Sequence, residues 1–252
     1  LMKDMDKAVQ RIQAAIANDE QVMIYGDYDV DGTTSVAIVF QYLTKQFPDK
    51  KHLFSYYIPH RYKEGYGISI QGVDHAIAHQ IKLVIALDCG IKAVEKIAYA
   101  KANGVEFIVC DHHTPGQTLP EAVAILNPKQ QDCNYPYKEL SACGIGYKLI
   151  AAISIHYGWD AAINDDLLDL VATSIAADIV PVTGENRILA YLGLSKANNN
   201  PCLAIKILKE LAQVERNMSI SDLVFMIGPR INAAGRMDDA KKIQITPMEK
   251  GN

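Results

Sequence analysis

Val22-Met23-Ile24-Tyr25-Gly26-Asp27-Tyr28-Asp29-Val30-Asp31-Gly32-Thr33-Thr34 passes from an unbroken apolar run into three alternating carboxylates, then into a glycine and two threonines. An apolar run without polar alternation is the pattern of a strand covered on both faces of a parallel sheet. Gly32-Thr33-Thr34 suits a helix start, where free backbone N–H groups favour an anion. In an extended segment alternate side chains point the same way, and three like charges on one side repel unless a cation lies between them. The stretch therefore predicts a buried strand that ends in a divalent-metal site.

The same apolar-then-acidic pattern recurs further along the chain. Leu83-Val84-Ile85-Ala86-Leu87 runs into Asp88, and Phe107-Ile108-Val109-Cys110 runs into Asp111-His112-His113. Strands are predicted over 22–25, 53–58, 82–87, 105–110 and 122–126, alternating with helices over 5–17, 33–46, 70–79 and 93–102. From Ser141 the pattern turns helical, over 144–156, 165–177, 186–194, 202–213 and onward from 221. Asn198-Asn199-Asn200-Pro201 marks the clearest break. The expected fold is α/β, a doubly wound and mainly parallel sheet flanked by helices and followed by a helical extension. The expected domains are 1–197, carrying the chemistry, and 198–252, the extension that carries Arg230 and Arg236.

The 252 residues are 49% hydrophobic and 21% charged, as in ordinary globular proteins. No apolar run reaches the roughly 18–20 residues that span a bilayer, and the start lacks a signal-peptide layout, so a cytoplasmic protein without membrane contact is expected. The five cysteines (Cys89, Cys110, Cys133, Cys143, Cys202) form no Cys-x-x-Cys pair, which predicts reduced thiols and no zinc knuckle. A net charge of -4 argues against a broad basic surface that coats nucleic acid, although acids in a metal site inflate that count.

Open parallel sheets bind ligands outside the carboxyl ends of their strands, where three of the predicted strands deliver Asp or His. An EF-hand is excluded: the bidentate Glu its loop requires would fall at Ile38. His75 and His79 have one-turn spacing but Ala76 where a zinc protease has Glu, and read as two surface histidines. Oxygen-rich ligation with imidazole and no thiolate suits manganese or magnesium. Several carboxylates in one site suggest two ions with a bridging Asp, an arrangement suited to phosphoester hydrolysis.

Asp27-x-Asp29-x-Asp31-Gly32, Leu87-Asp88-Cys89-Gly90, Asp111-His112-His113 and Ala177-Asp178, in that order, resemble the four motifs of the DHH phosphoesterase superfamily. Tyr25 to Ser35, Gly65-Tyr66-Gly67 and Gly228-Pro229-Arg230-Ile231-Asn232-Ala233-Ala234-Gly235-Arg236 are similar to signatures of its RecJ branch of single-strand-specific exonucleases. The resemblance spans nearly the whole chain. It implies a metal-dependent 5′-to-3′ exonuclease on single-stranded DNA, acting in repair and recombination with two divalent cations, Mn2+ ahead of Mg2+. Asp29 and Asp31 would bind different ions, Asp88 would bridge them, and His112 and Asp178 would complete the second site. His113 would face the scissile phosphate, and Asp111 would orient the imidazoles beside it. The pyrophosphatase branch carries a His where this chain has Tyr25, which makes Asp27 the candidate for the missing ligand. Without the resemblance, Asp178 reads as a solvated or capping acid.

Arg230, Asn232 and Arg236 would hold the DNA strand through phosphate contacts. Arg61, with Tyr62 and Tyr66 nearby, would combine phosphate contact with base stacking. The resemblance also implies a monomer, with single-strand-binding protein or helicase partners, and a parent chain that continues into a smaller substrate-binding domain. Two alternatives are a phosphodiesterase for short oligoribonucleotides or cyclic dinucleotides, and a non-catalytic nucleic-acid-binding module. The arginine segment counts against the first, and the complete set of acids and histidines against the second.

Overall fold

The computed structural model describes residues 1–237, with the backbone alone at 161 and 234–237. Five parallel strands form one sheet: β1 (Gln21–Gly26), β2 (Phe54–Tyr57), β3 (Ile81–Leu87), β4 (Glu106–Cys110) and β5 (Ala124–Leu126), in the order β2-β1-β3-β4-β5. The first half supplies α1 (Met5–Ala17), α2 (Val30–Gln46), α3 (Ile70–Ala78) and α4 (Val94–Ala102). The second half supplies α5 (Ala142–His156), α6 (Leu168–Ala177), α7 (Gly184–Asn199), α8 (Leu203–Leu211), the single turn α9 (Ile220–Asp222), a π turn over Leu223–Ile227, and α10 (Gly228–Met237). Among the described residues no helix is long and apolar enough to cross a membrane.

Unbroken apolar strands follow from two cores, one on each face of the sheet. Val22 and Ile24 of β1, with Leu83, Ile85 and Leu87 of β3, pack with α1, α2, α5 and α6. Met23 and Tyr25, with Val84 and Ala86, pack with Val73 and Ala76 of α3 and Ile97 and Ala100 of α4. Both side-chain directions of each central strand are therefore apolar, and no alternation is visible in the sequence.

Two boundaries differ from expectation. α2 begins at Val30 rather than at residue 33, because the Asp29 side chain caps it by accepting from the Gly32 N–H at 2.9 Å. Asp27, Asp29 and Asp31 thus occupy a strand end, a helix cap and a first helical turn, and strand alternation does not describe them. α7 continues through Asn198 and Asn199, where a break is predicted, and stops where the Asn200 N–H reaches Lys196 O at 2.8 Å, just before Pro201. Beyond it, Ile205, Val214, Met218, Leu223, Ile227 and Ile231 join the same core as Val171 and Ile175 of α6.

α6 and α7 cross at Gly193, where a Cβ would lie 2.0 Å from Leu168 O and 2.6 Å from Ala172 Cβ. A backbone carbonyl cannot yield as a flexible side chain can. Gly193→Ala is therefore expected to destabilise the fold by on the order of 1–3 kcal/mol through overpacking, read as a lower urea midpoint. An unchanged midpoint would show that the crossing has slack.

Candidate metal centre

Sheet register places the site. Gly26 pairs with Leu87 and Leu87 with Cys110, so β1, β3 and β4 end level with one another. The next residues, Asp27, Asp88 and Asp111, leave the sheet side by side. Asp88 turns there in the left-handed region, at φ 61°, with its N–H on Cys110 O at 2.9 Å. Gly32 has no room for a Cβ, which would sit 2.4 Å from Asp27 O, and this close approach seats the first turn of α2 against the end of β1.

His112 is the hub. Its Nε2 lies 3.4 Å from Asp88 Oδ1, 3.5 Å from Asp178 Oδ2 and 3.8 Å from Asp31 Oδ2. Both ring nitrogens of His112, with Asp88 Oδ1 and Asp27 Oδ2, are buried without a hydrogen-bond partner. Such groups cost about 1–3 kcal/mol each when left unsatisfied, so a shared electrophile fits this geometry. Among the described residues two sets of ligand atoms lie within 4.8 Å of one another: Asp88, His112 and His113, and Asp31, His112 and Asp178. His112 belongs to both.

The electrostatics point the same way. Burial, with the charges of Asp31, Asp29 and Asp111, pushes the Asp88 carboxyl well above the usual carboxylate range. Burial and then the charges of Asp31 and Asp29 bring Asp178 up to about 7. Asp27 is likewise raised to about 7 by burial, although the Gly67 N–H opposes the shift. Burial pushes His112 down, which favours the neutral imidazole that a cation requires.

The remaining acids have separate tasks. Asp31 is buried on the first turn of α2 and accepts from Ala142 N at 2.8 Å, Cys143 N at 2.8 Å and Ser174 Oγ at 2.7 Å. Burial raises its carboxyl, while these donors pull the other way. Asp111 accepts from Ile91 N at 2.9 Å, His113 N at 3.0 Å and His113 Nδ1 at 2.7 Å. Burial opposes its charge, but the His113 contacts outweigh burial and hold it below the usual range. Asp111 therefore orients His113, whereas the ring nitrogens of His112 carry no hydrogen bond. The Asp111 contact raises His113, whose Nε2 faces the Tyr66 hydroxyl at 3.2 Å. Asp27 accepts from Gly67 N at 3.1 Å, and Tyr25 donates to Gly67 O at 2.9 Å, so both fasten the loop that follows β2.

That loop carries Arg61, whose Cζ lies 4.9 Å over the Tyr28 ring, and Tyr66, edge-on to Tyr28 at 6.1 Å. Tyr62 and Tyr66 are exposed, beside the site rather than in the core. Glu64, which sequence reasoning missed, latches the loop by accepting from Tyr57 Oη, Ser69 Oγ and His60 N at 2.9, 2.6 and 2.7 Å. Arg230 donates to Met226 O at 2.7 Å. Its helix begins at Gly228, where a Cβ would meet Ala177 Cβ at 3.3 Å, so α10 starts beside Asp178. Asn232 lies half-buried on α10, and the Arg236 side chain lies outside the described residues. Ser174 was also missed; its signal is a hydroxyl one helical turn before Asp178 in a mainly apolar helix.

Comparisons with known proteins identify the family. The model of the DHH family, N-terminal domain, matches residues 21–175. The chain is 40% identical to the single-stranded-DNA-specific exonuclease RecJ of Bacillus subtilis over 240 residues, which are 95% of this chain and 29% of that protein. It is 38% identical to the Escherichia coli protein of the same name over 249 residues, 94% of this chain and 43% of that one. A crystal structure of exonuclease RecJ bound to manganese superposes with a TM-score of 0.85 at 30% identity, covering 97% of this chain and 60% of that one. The chain thus spans less than half the length of these two curated relatives.

Proposed function

Because this chain belongs to the DHH family, we propose that it is the catalytic part of a divalent-metal phosphodiesterase that digests single-stranded DNA from the 5′ end. The observation that carries this reading is His112 Nε2, buried and unpartnered, with three carboxylate oxygens at 3.4–3.8 Å. Asp29, Asp31, Asp88, His112 and Asp178 would hold two divalent ions, Mn2+ ahead of Mg2+, with Asp88 between them. When bound, such ions polarise the phosphoryl group and activate water.

The chain's own residues do the rest. Asp111 fixes the His113 ring by keeping a proton on its Nδ1 and favours the charged form of the imidazole that would face the phosphate. Asp27 and Tyr25 hold the loop that presents Arg61 and Tyr66, where phosphate contact and stacking adjoin the metal centre. Arg230, Asn232 and Arg236 of α10 would hold the strand on the Asp178 side. Being the shared name of its relatives, single-strand-specific exonuclease supports the substrate class. The test is digestion of 5′- and 3′-labelled oligonucleotides with Mn2+ by the parent protein. Loss of nucleotides from the 5′ end is expected, and digestion of neither end would overturn the proposal.

Metal affinity should depend on pH with a fixed sign. Burial and neighbouring charges push the carboxyl of Asp178 up to about 7 and that of Asp88 well above the usual range. A raised carboxyl keeps its proton near neutrality, and a cation must displace that proton. Mn2+ affinity is therefore expected to rise at least about tenfold from pH 6 to pH 8, with proton release measurable by calorimetry in buffers of different ionisation enthalpy. A flat profile would show the carboxylates to be ionised beforehand.

A further inference from the structure

Asp31 accepts three hydrogen bonds, and one of its partners, Ser174, lies on the helix that leads to a second candidate ligand. Ser174 Oγ lies 2.7 Å from Asp31 Oδ1 and 2.8 Å from Ser141 Oγ, and Ser141 Oγ accepts from Gly144 N at 3.1 Å. All of these side chains are buried. The direction of the chain follows from proton counting. An ionised carboxylate only accepts, so Ser174 gives its one hydrogen to Asp31. Ser141 must then donate to Ser174, and the Gly144 N–H donates to Ser141. The chain starts at the N-terminus of α5 and ends on Asp31, each hydroxyl accepting once and donating once.

Through Ser174 the hydrogen-bond chain also adjoins a second member of the Asp31 ligand set. Ser174 lies one turn before Asp178 on α6, with Asp178 N on Ser174 O at 2.9 Å. Asp31 and Asp178 both face His112 Nε2, at 3.8 and 3.5 Å. On Asp31, Oδ1 accepts from Cys143 N and Ser174 Oγ, while Oδ2 accepts from Ala142 N alone and is the oxygen turned to His112.

We infer that Ser174, supported by Ser141, is a positioning residue that fixes Asp31 against Asp178 and restricts Asp31 to a single ligand oxygen. Its hydroxyl thereby sets affinity and selectivity for the ion held by Asp31, His112 and Asp178. Ca2+ accepts bidentate carboxylates at longer distances, whereas smaller ions demand tighter geometry. Loosening the hold on Oδ1, which keeps only Cys143 N when the Ser174 hydroxyl is removed, should therefore cost more affinity for Mn2+ than for Ca2+.

The inference rests on the reading of Asp31 and Asp178 as ligands, and binding without DNA separates the two. The full chain is titrated with Mn2+ alone, followed by electron paramagnetic resonance, and with Ca2+ in competition. Ser174→Ala is expected to weaken Mn2+ binding about 10–100-fold and to lower the Mn2+/Ca2+ affinity ratio. Ser141→Ala is expected to weaken it less, and the double variant to bind as Ser174→Ala does, since the hydroxyls act in series. Ser174→Cys, which keeps a weak donor, should recover part of the loss, and a folded Ser141→Ala carries the test should Ser174→Ala fail to fold. Mn2+ affinity of Ser174→Ala within twofold of wild type, or additive effects of the two serines, would overturn the inference. A wild-type chain that binds no Mn2+ would overturn the ligand assignment instead.

Discussion

Asp88→Asn is expected to lower kcat by at least about 10³-fold, the several kcal/mol that a bridging metal ligand contributes, while raising the melting temperature of the metal-free protein. Asp88 is buried, its Oδ1 has no hydrogen-bond partner, and Asp31, Asp29 and Asp111 all repel its charge. The metal-free fold must either hold that repelled charge or take up a proton to remove it, and an amide of the same shape avoids both costs. The gain is expected to be about 1 kcal/mol, or roughly 2–4 °C in a chain of this size. Asn is the right replacement because Asp88 sits at φ 61°, a region that Asn tolerates and Ala does not. Calorimetry with chelator checks the stability, and single-turnover digestion with Mn2+ checks the rate. A variant that is both inactive and less stable would mean that Asp88 supports the fold rather than the metal.

Asp31→Ala should behave in the opposite way towards stability. Asp31 is as buried as Asp88, but it accepts from Ala142 N, Cys143 N and Ser174 Oγ. Alanine leaves two N–H groups at the start of α5 buried without their acceptor, while the Ser174 hydroxyl keeps only Ser141. Each such group costs about 1–3 kcal/mol, partly offset by relief of charge repulsion, so a net loss of about 3 kcal/mol is expected without metal. Mn2+ should also fail to stabilise this variant, since it lacks a ligand. Denaturant unfolding with and without Mn2+ measures both effects. The contrast between these neighbouring acids is decided largely by hydrogen-bond partners, because both are buried and both lie near Asp29 and His112.

The sheet was legible because each strand is an apolar run wide enough for two cores: Leu83 and Ile85 face one side, Val84 and Ala86 the other. Asp88 and Asp111-His112-His113 were legible as strand-end residues, and level register then brings them together. The start of α2 was not, because Asp29 as a cap and Asp29 as a strand residue leave the same trace in sequence. Asp31 was legible as an acid of its motif, but its donors lie 111 to 143 positions away, where no local pattern can reveal them. Glu64 read as one charge in a polar loop, although its carboxylate ties three groups of that loop together. The strand ends are visible locally; the contacts that hold them in place are made by the tertiary fold.

Anomalous scattering from a crystal of the chain grown with Mn2+ tests the two-ion centre most directly. Two peaks are expected on either side of the Asp88 carboxylate, one of them against His112 Nε2, Asp31 Oδ2 and Asp178 Oδ2. No peak at the carboxyl ends of β1, β3 and β4, or manganese bound only elsewhere on the chain, would contradict it.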